Sequence, residues 1–250
     1  MSRNVYFFSD AHLGHDDPAT ERKKEAALIS FLRSLHGKAE AVYIVGDLFD
    51  FWFEYRSVVP RKHARVLFEL YRLVASGVKV VYIAGNHDFW MGTYLSEGVG
   101  LELSFGPLDV RHQGLLIHIA HGDGLLSQDS GYRLLKRVVR SPVTVTVFGL
   151  IHPDLGALLA RFVSRSSRGS RKPYPSPFRL DQGYLNVAGQ HFQQGWNAVI
   201  FGHIHHPVLL EEAGTLIVLG DWMKHFTYAV LTDGKFKLET WAGKGAECGL

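Results

Sequence analysis

The sequence predicts an α/β fold with a largely parallel sheet, on three observations. Short apolar, β-branched runs recur along the 250 residues, each bounded by a glycine or a polar turn. The first three are separated by segments with helical spacing of apolar residues, the pattern of right-handed crossover units. Each run also ends in carboxylate, imidazole or amide side chains, at the edge where open α/β sheets collect ligands.

The first run, Asn4-Val5-Tyr6-Phe7-Phe8, leads into Ser9-Asp10-Ala11-His12-Leu13-Gly14. Alternate side chains of an extended segment share a face, so Asp10 and His12 can address one ion while Ala11 points away. Ala26, Ala27, Ile29, Leu32 and Leu35 then predict a helix over 20–35. Ala41-Val42-Tyr43-Ile44-Val45 is a second strand, closed by Gly46-Asp47-Leu48-Phe49-Asp50. A helix over 61–75 precedes the third strand, Val78 to Ile83, which delivers Gly85-Asn86-His87-Asp88. A short helix is expected from Met91 to Glu97. Leu115 to Ala120 ends in His121-Gly122-Asp123, and Ala198-Val199-Ile200-Phe201 ends in Gly202-His203-Ile204-His205, which repeats the alternate-residue chelate of Asp10 and His12.

With 46% hydrophobic residues the chain can bury a sizeable core. Its single cysteine, Cys248, excludes an intramolecular disulfide and a thiolate metal cage, so a metal here must use His, Asp and Asn. The first strand starts almost at once, without the basic region and long apolar core of a signal peptide, and a cytoplasmic location is expected. The net charge of +3 averages two surfaces. Residues 125–180 hold ten Lys/Arg against two acids, leaving 17 bases against 22 acids elsewhere. A basic segment of that kind suits a phosphorylated ligand, nucleic acid or an anionic membrane face.

Any one of these turns alone would read as a helix cap or a backbone-bonding turn. Five of them, each at the same end of an apolar strand, predict a metal or catalytic cluster. Imidazole, carboxylate and amide donors together suit Mn, Fe or Zn and not an all-oxygen Mg or Ca cage. Two ions about 3.5–4 Å apart can clamp a phosphoryl group during in-line displacement. A shared carboxylate is then needed, and Asp47 is the candidate, with one oxygen for each ion.

Asp10-x-His12, Gly46-Asp47-x-x-Asp50, Gly85-Asn86-His87-Asp88, His121-Gly122-Asp123 and Gly202-His203-x-His205 together resemble the ordered motif set of the calcineurin-like metallophosphoesterases. The resemblance implies an αββα sandwich and two divalent ions, Mn first, with Fe and Zn open. It implies that Asp10, His12 and His205 hold one ion with Asp47, while Asn86, His121 and His203 hold the other with Asp47. His87 would be the imidazole beside the phosphoryl group, oriented by Asp88, with Asp50 and Asp123 behind the ligands.

Gly46-Asp47-Leu48-Phe49-Asp50-Phe51-Trp52, His121-Gly122-Asp123-Gly124-Leu125 with Asp129 and Gly131-Tyr132, and Leu219-Gly220-Asp221-Trp222 further resemble the UDP-2,3-diacylglucosamine pyrophosphatases. Those enzymes make lipid X and UMP in lipid A biosynthesis. The resemblance implies a core of residues 1–124 and 195–250 with a helical cap insert over 125–194. Asp129 and Tyr132 would contact the glucosamine or a phosphate. Within the insert, Val143 to Ile151 and Leu155 to Ala160 are apolar and separated by His152-Pro153-Asp154, which predicts two helices, neither of the roughly 20 residues that span a bilayer. They suit ordinary core packing or an acyl-chain groove. Arg165 and Arg168, in an acid-free run, could grip phosphate through guanidinium forks or form solvated surface. His87 departs from the lipid A enzymes, whose better-known members carry Arg there. The expected partner is a phosphorylated, acylated sugar nucleotide, with peripheral contact at the inner membrane surface open, and no nucleic acid or obligate protein partner. The alternatives are a phosphodiesterase or phosphatase for a soluble nucleotide or phosphoprotein, and a scaffold with dead metal sites.

Overall fold

In β1 (Asn4–Phe8) successive side chains face opposite ways, and that alternation builds the layers. The computed structural model describes residues 4–125, 136–159 and 179–243. Val5 and Phe7 pack with Ala41, Tyr43 and Val45 of β2 (Ala39–Val45) and with Val81 and Ile83 of β3 (Lys79–Ile83). Across the interior they share this core with Ile117 and Ile119 of β6 (Leu115–Ala120) and Ala198 and Ile200 of β7 (Ala198–Phe201). Tyr6 and Phe8 point the other way, against Leu28, Phe31 and Leu32 of α1 (Pro18–Ser34) in a core that also holds Leu70 and Leu73 of α2 (Ala64–Ala75). These central strands are buried on both faces, which is why they are apolar throughout and do not alternate with polar residues.

The first sheet has the order β11-β10-β1-β2-β3-β4 and the second β5-β6-β7-β9-β8. The remaining strands are β4 (Glu102–Ser104), β5 (Leu108–His112), β8 (Val208–Glu211), β9 (Thr215–Val218), β10 (Thr227–Thr232) and β11 (Lys235–Thr240). Strands β1 to β4 are parallel, as are β6, β7 and β9, while β5, β8, β10 and β11 pair antiparallel. The strand-by-strand reading predicted one largely parallel sheet; the structure has two. The stretches around β4–β6 and after β7 supply strand upon strand, so the inner face of the first sheet is covered by a second sheet. With α1 and α2 outside one sheet and α4 (Gln182–Gln193) outside the other, the layers run αββα, as the resemblance implied.

The helix over 20–35 is found two residues earlier at its start, where Asp17 Oδ1 accepts from Ala19 N at 2.9 Å and Pro18 fills the first turn. The segment over 61–75 splits into a 3-10 turn, Arg61–His63, and α2. The short helix expected from Met91 to Glu97 is instead a single π turn, Tyr94–Gly98.

In the range read as an insert, α3 (Pro142–Gly149) begins at Ser141, whose side chain accepts from Thr144 N, and a second helical stretch covers 153–159, on either side of the predicted polar break. Phe148 of α3 packs on Phe53, Trp90 and Phe51, with ring centroids 4.8, 4.7 and 5.7 Å away. Its other faces leave Val143, Val147 and Leu150 exposed. Helix α4, within the same range, lies on the second sheet through Tyr184 and Ala188.

Candidate metal centre

The parallel registers bring the carboxyl ends of β1, β2 and β3 level with one another, and those of β6 and β7 likewise. The turns after them are strained in a shared way. Asp10, His12, Asp47 and His203 all have positive φ, at 55°, 43°, 52° and 63°. Such left-handed backbone is costly for a side-chain-bearing residue and persists where surrounding contacts impose it. Here the contacts are backbone bonds from Asp10 N to Gly46 O (3.1 Å) and His12 N to Asp47 O (2.9 Å), together with Lys24 Nζ donating to His12 O at 2.9 Å. His203 N donates to Asp10 Oδ2 at 2.9 Å and so ties the two sheets together at the site. Gly85 is required by close approach, since a Cβ there would collide with the Asp47 carboxylate.

All seven residues expected to hold metal converge. Asp10 Oδ1 lies 3.3 Å from His205 Nε2 and 3.6 Å from His12 Nε2, and the two imidazole nitrogens are 3.3 Å apart. On the other side Asn86 Oδ1 lies 3.0 Å from His121 Nε2 and 2.9 Å from His203 Nδ1. Asp47 joins the groups through one atom: Oδ2 is 3.6 Å from His12 Nε2 and 3.3 Å from His121 Nε2. Its other oxygen accepts His87 N at 2.8 Å. The expectation of one oxygen per ion is therefore replaced by one oxygen facing both groups.

The donor set fits divalent cations. Asp10 Oδ1 is buried with no hydrogen-bond partner, an arrangement that persists where a cation is the intended counterpart. His121 donates from Nδ1 to Val45 O at 2.9 Å, which fixes the ring and leaves Nε2 as the donor atom toward the cluster. The Asp10 and Asp47 carboxyls, which burial alone would raise, are held well below the usual range by the surrounding histidines. Burial opposes protonation of His121, yet the Asp47 carboxylate pushes it up to about 10.

His87 packs edge-on to His12 at 4.7 Å between centroids, within 4.8 Å reach of His12 and Asp47 donor atoms. Its Nδ1 faces Asp50, 3.1 Å from the backbone oxygen and 3.6 Å from Oδ1. The contact expected from Asp88 is therefore made by Asp50. Asp88 is fully buried and bonds the turns themselves, accepting from Gly85 N (2.9 Å), Asp47 N (3.3 Å), Phe49 N (3.2 Å) and Tyr82 Oη. Burial, then the nearby Asp47 charge, pushes Asp88 up to about 6.

Asp129, Tyr132, Arg165 and Arg168 lie outside the described residues. Sequence reasoning missed His15, 3.9 Å from Asp50. It noted Asp221 only as part of a motif and gave it no role, whereas the fold sets it 4.0 Å from His205 Nδ1. It also missed Lys24, Lys136 and Arg140, for which only the fold supplies the partners.

A family model for calcineurin-like phosphoesterases matches residues 3–207. The UDP-2,3-diacylglucosamine hydrolase of Porphyromonas gingivalis is 34% identical over 96% of this chain and 98% of its own. The enzyme of the same name from Neisseria meningitidis is 33% identical over 92% and 94%, and that from Haemophilus ducreyi 31% over 87% and 91%. The family match encloses every strand-end donor from Asp10 to His205, on a fold that brings them to one edge, and the chain belongs to the calcineurin-like phosphoesterase family.

Proposed function

We propose that this protein hydrolyses the diphosphate of UDP-2,3-diacylglucosamine, releasing UMP and 2,3-diacylglucosamine 1-phosphate. The observation that carries the reading is Asp47 Oδ2, set between two donor groups in a chain related to such hydrolases along nearly its whole length. Asp10, His12, His205 and Asp47 would hold one divalent ion, and Asn86, His121, His203 and Asp47 the other. Mn²⁺ is the first ion to supply, with Fe and Zn compatible with the same donors. Bound there, such ions polarise phosphoryl oxygens and lower the pKa of water.

The protein's own groups do the rest. Asp50 faces His87 Nδ1 through its backbone oxygen and its carboxylate and so orients the ring, with Nε2 as the atom that would donate to a phosphoryl oxygen or to the departing one. Asp88 keeps the turns of Asp47 and Asn86 at fixed separation. Of the range 125–194 the part before α4 serves as the cap, with Asp129, Tyr132, Arg165 and Arg168 for the sugar and phosphates, while α4 itself lies on the second sheet. The exposed Val143, Val147, Leu150, Leu155 and Leu158 supply apolar surface for acyl chains or for peripheral contact with the inner membrane face of the cytoplasm. Among the described residues no helix is long and apolar enough to cross a membrane.

Protein reconstituted with Mn²⁺ should release UMP from UDP-2,3-diacylglucosamine. Hydrolysis of soluble phosphodiesters without any UMP release would overturn the substrate assignment. Asp47→Ala should lose bound metal, measured by elemental analysis, together with activity; full turnover in that variant would sink the two-ion reading.

A further inference from the structure

The first described turn of the insert, 136–140, touches the metal centre at two points. Lys136 Nζ pairs with Asp123 Oδ2 at 2.5 Å, and Asp123 follows the turn of His121. Arg140 Nη2 donates to Gly85 O at 2.9 Å, directly before Asn86, with its guanidinium 4.8 Å over the Phe89 ring. The two cations are four residues apart and Arg140 N bonds Lys136 O at 3.0 Å, so they stand on one face of one helical turn. Between them Val139 O accepts from Trp90 Nε1 at 3.1 Å, beside the aromatic cluster that receives Phe148. One turn of the insert is thus fixed to two of the ligand-bearing turns, one from each sheet.

We propose that Lys136 and Arg140 are positioning residues that hold the insert in register over the metal pair. The inference rests on the proposed function for its large substrate. The turns at 85–88 and 121–123 are also held by core contacts independent of the insert, among them Gly85 N to Asp88, His87 N to Asp47 and His121 Nδ1 to Val45 O. Of the residues of α3 only Phe148 is buried, so removing the two cations displaces this part of the insert before it displaces the metal ligands. The Asp123 side chain is 5% exposed and that of Lys136 26%, so the ion pair is partly withdrawn from water. A substrate that reaches both the insert and the metals depends on this register, whereas a small diester that reaches the metals alone depends on it much less.

The test compares the wild type with Lys136→Met/Arg140→Met as full-length, Mn²⁺-loaded proteins. With UDP-2,3-diacylglucosamine, kcat/KM should fall by about 100-fold, the scale of a misplaced substrate. With bis(p-nitrophenyl) phosphate the loss should be at least about tenfold smaller. Lys136→Arg/Arg140→Lys keeps both donors and should recover most of the activity. Equal losses on both substrates, or none on either, would overturn the proposal. Hydrogen exchange separates this idea from the substrate assignment. Amides at 136–159 should exchange faster in the Met variant while β1–β3 stay unchanged, whatever substrate the enzyme prefers. Unchanged exchange in the insert would refute the positioning role even if UMP release were established. Faster exchange without UMP release by the wild type would uphold the positioning role and reject only the substrate.

Discussion

His63 is 3% exposed, with its ring 4.5 Å from Phe49, and its Nε2 has no hydrogen-bond partner. Burial, with Lys62 and Lys24 nearby, holds the imidazole well below the ordinary 6.5. Below that value the unfolded chain takes up a proton that the folded one resists, so the stability tied to neutral His63 is present above 6.5 and lost as pH falls through it. His63→Gln should therefore flatten the fall in denaturation midpoint from pH 6.5 toward about 4; an unchanged slope would exonerate His63. The metal donors differ in that their types and spacing were legible in the sequence. Asp10, His12, Asp47, Asn86, His121, His203 and His205 come together at one edge of the two sheets. What was not legible is how each side chain divides its atoms. Asp88 bonds backbones instead of His87, and Asp47 offers one oxygen to both groups, because those outcomes depend on turn conformations set by other strands.

At the scale of single elements, the strand-end turns carry the site by allowing backbone and carboxylate to approach closely. Gly85→Ala would put a methyl group into the Asp47 carboxylate, and it should cost about 2 kcal/mol or more in stability along with bound Mn²⁺. Denaturation and metal content measure both; an unaffected metal load would show that the turn can shift. Helix α3 is apolar on nearly every side, yet only Phe148 of its residues is buried. If its outer surface meets lipid, Val147→Asp/Leu150→Asp should reduce flotation with anionic vesicles by about tenfold, and undiminished flotation would remove α3 from that role. The two-helix division around Pro153 was readable because proline starts a helix more easily than it continues one. The π turn at Tyr94–Gly98 was not, since apolar spacing over so few residues does not distinguish one helical turn from another.

For the molecule as a whole, the site sets two buried carboxylates at the edge of the first sheet, Asp10 and Asp47, against imidazoles at the edge of the second, and cations there should stabilise the assembly. Removing divalent metal with a chelator should lower Tm by roughly 5–10 °C relative to protein held at about 100 times the metal Kd. Because the Asp47 carboxylate pushes His121 up, metal binding should also release protons at neutral pH, measured by calorimetry in buffers of different ionisation enthalpy. A Tm indifferent to metal would count against a built cation site. By itself the sequence determined the α/β class, the order of the strand-end side chains and the apolar, basic composition of residues 125–180, because residue type and period are local properties. Only the tertiary structure decided that the donors come from two sheets, that Asp50 and not Asp88 faces His87, and that Lys136 and Arg140 reach Asp123 and Gly85 O. Those facts rest on contacts between residues far apart in the chain, whose distances are set by how the sheets pack and by nothing written in any one segment.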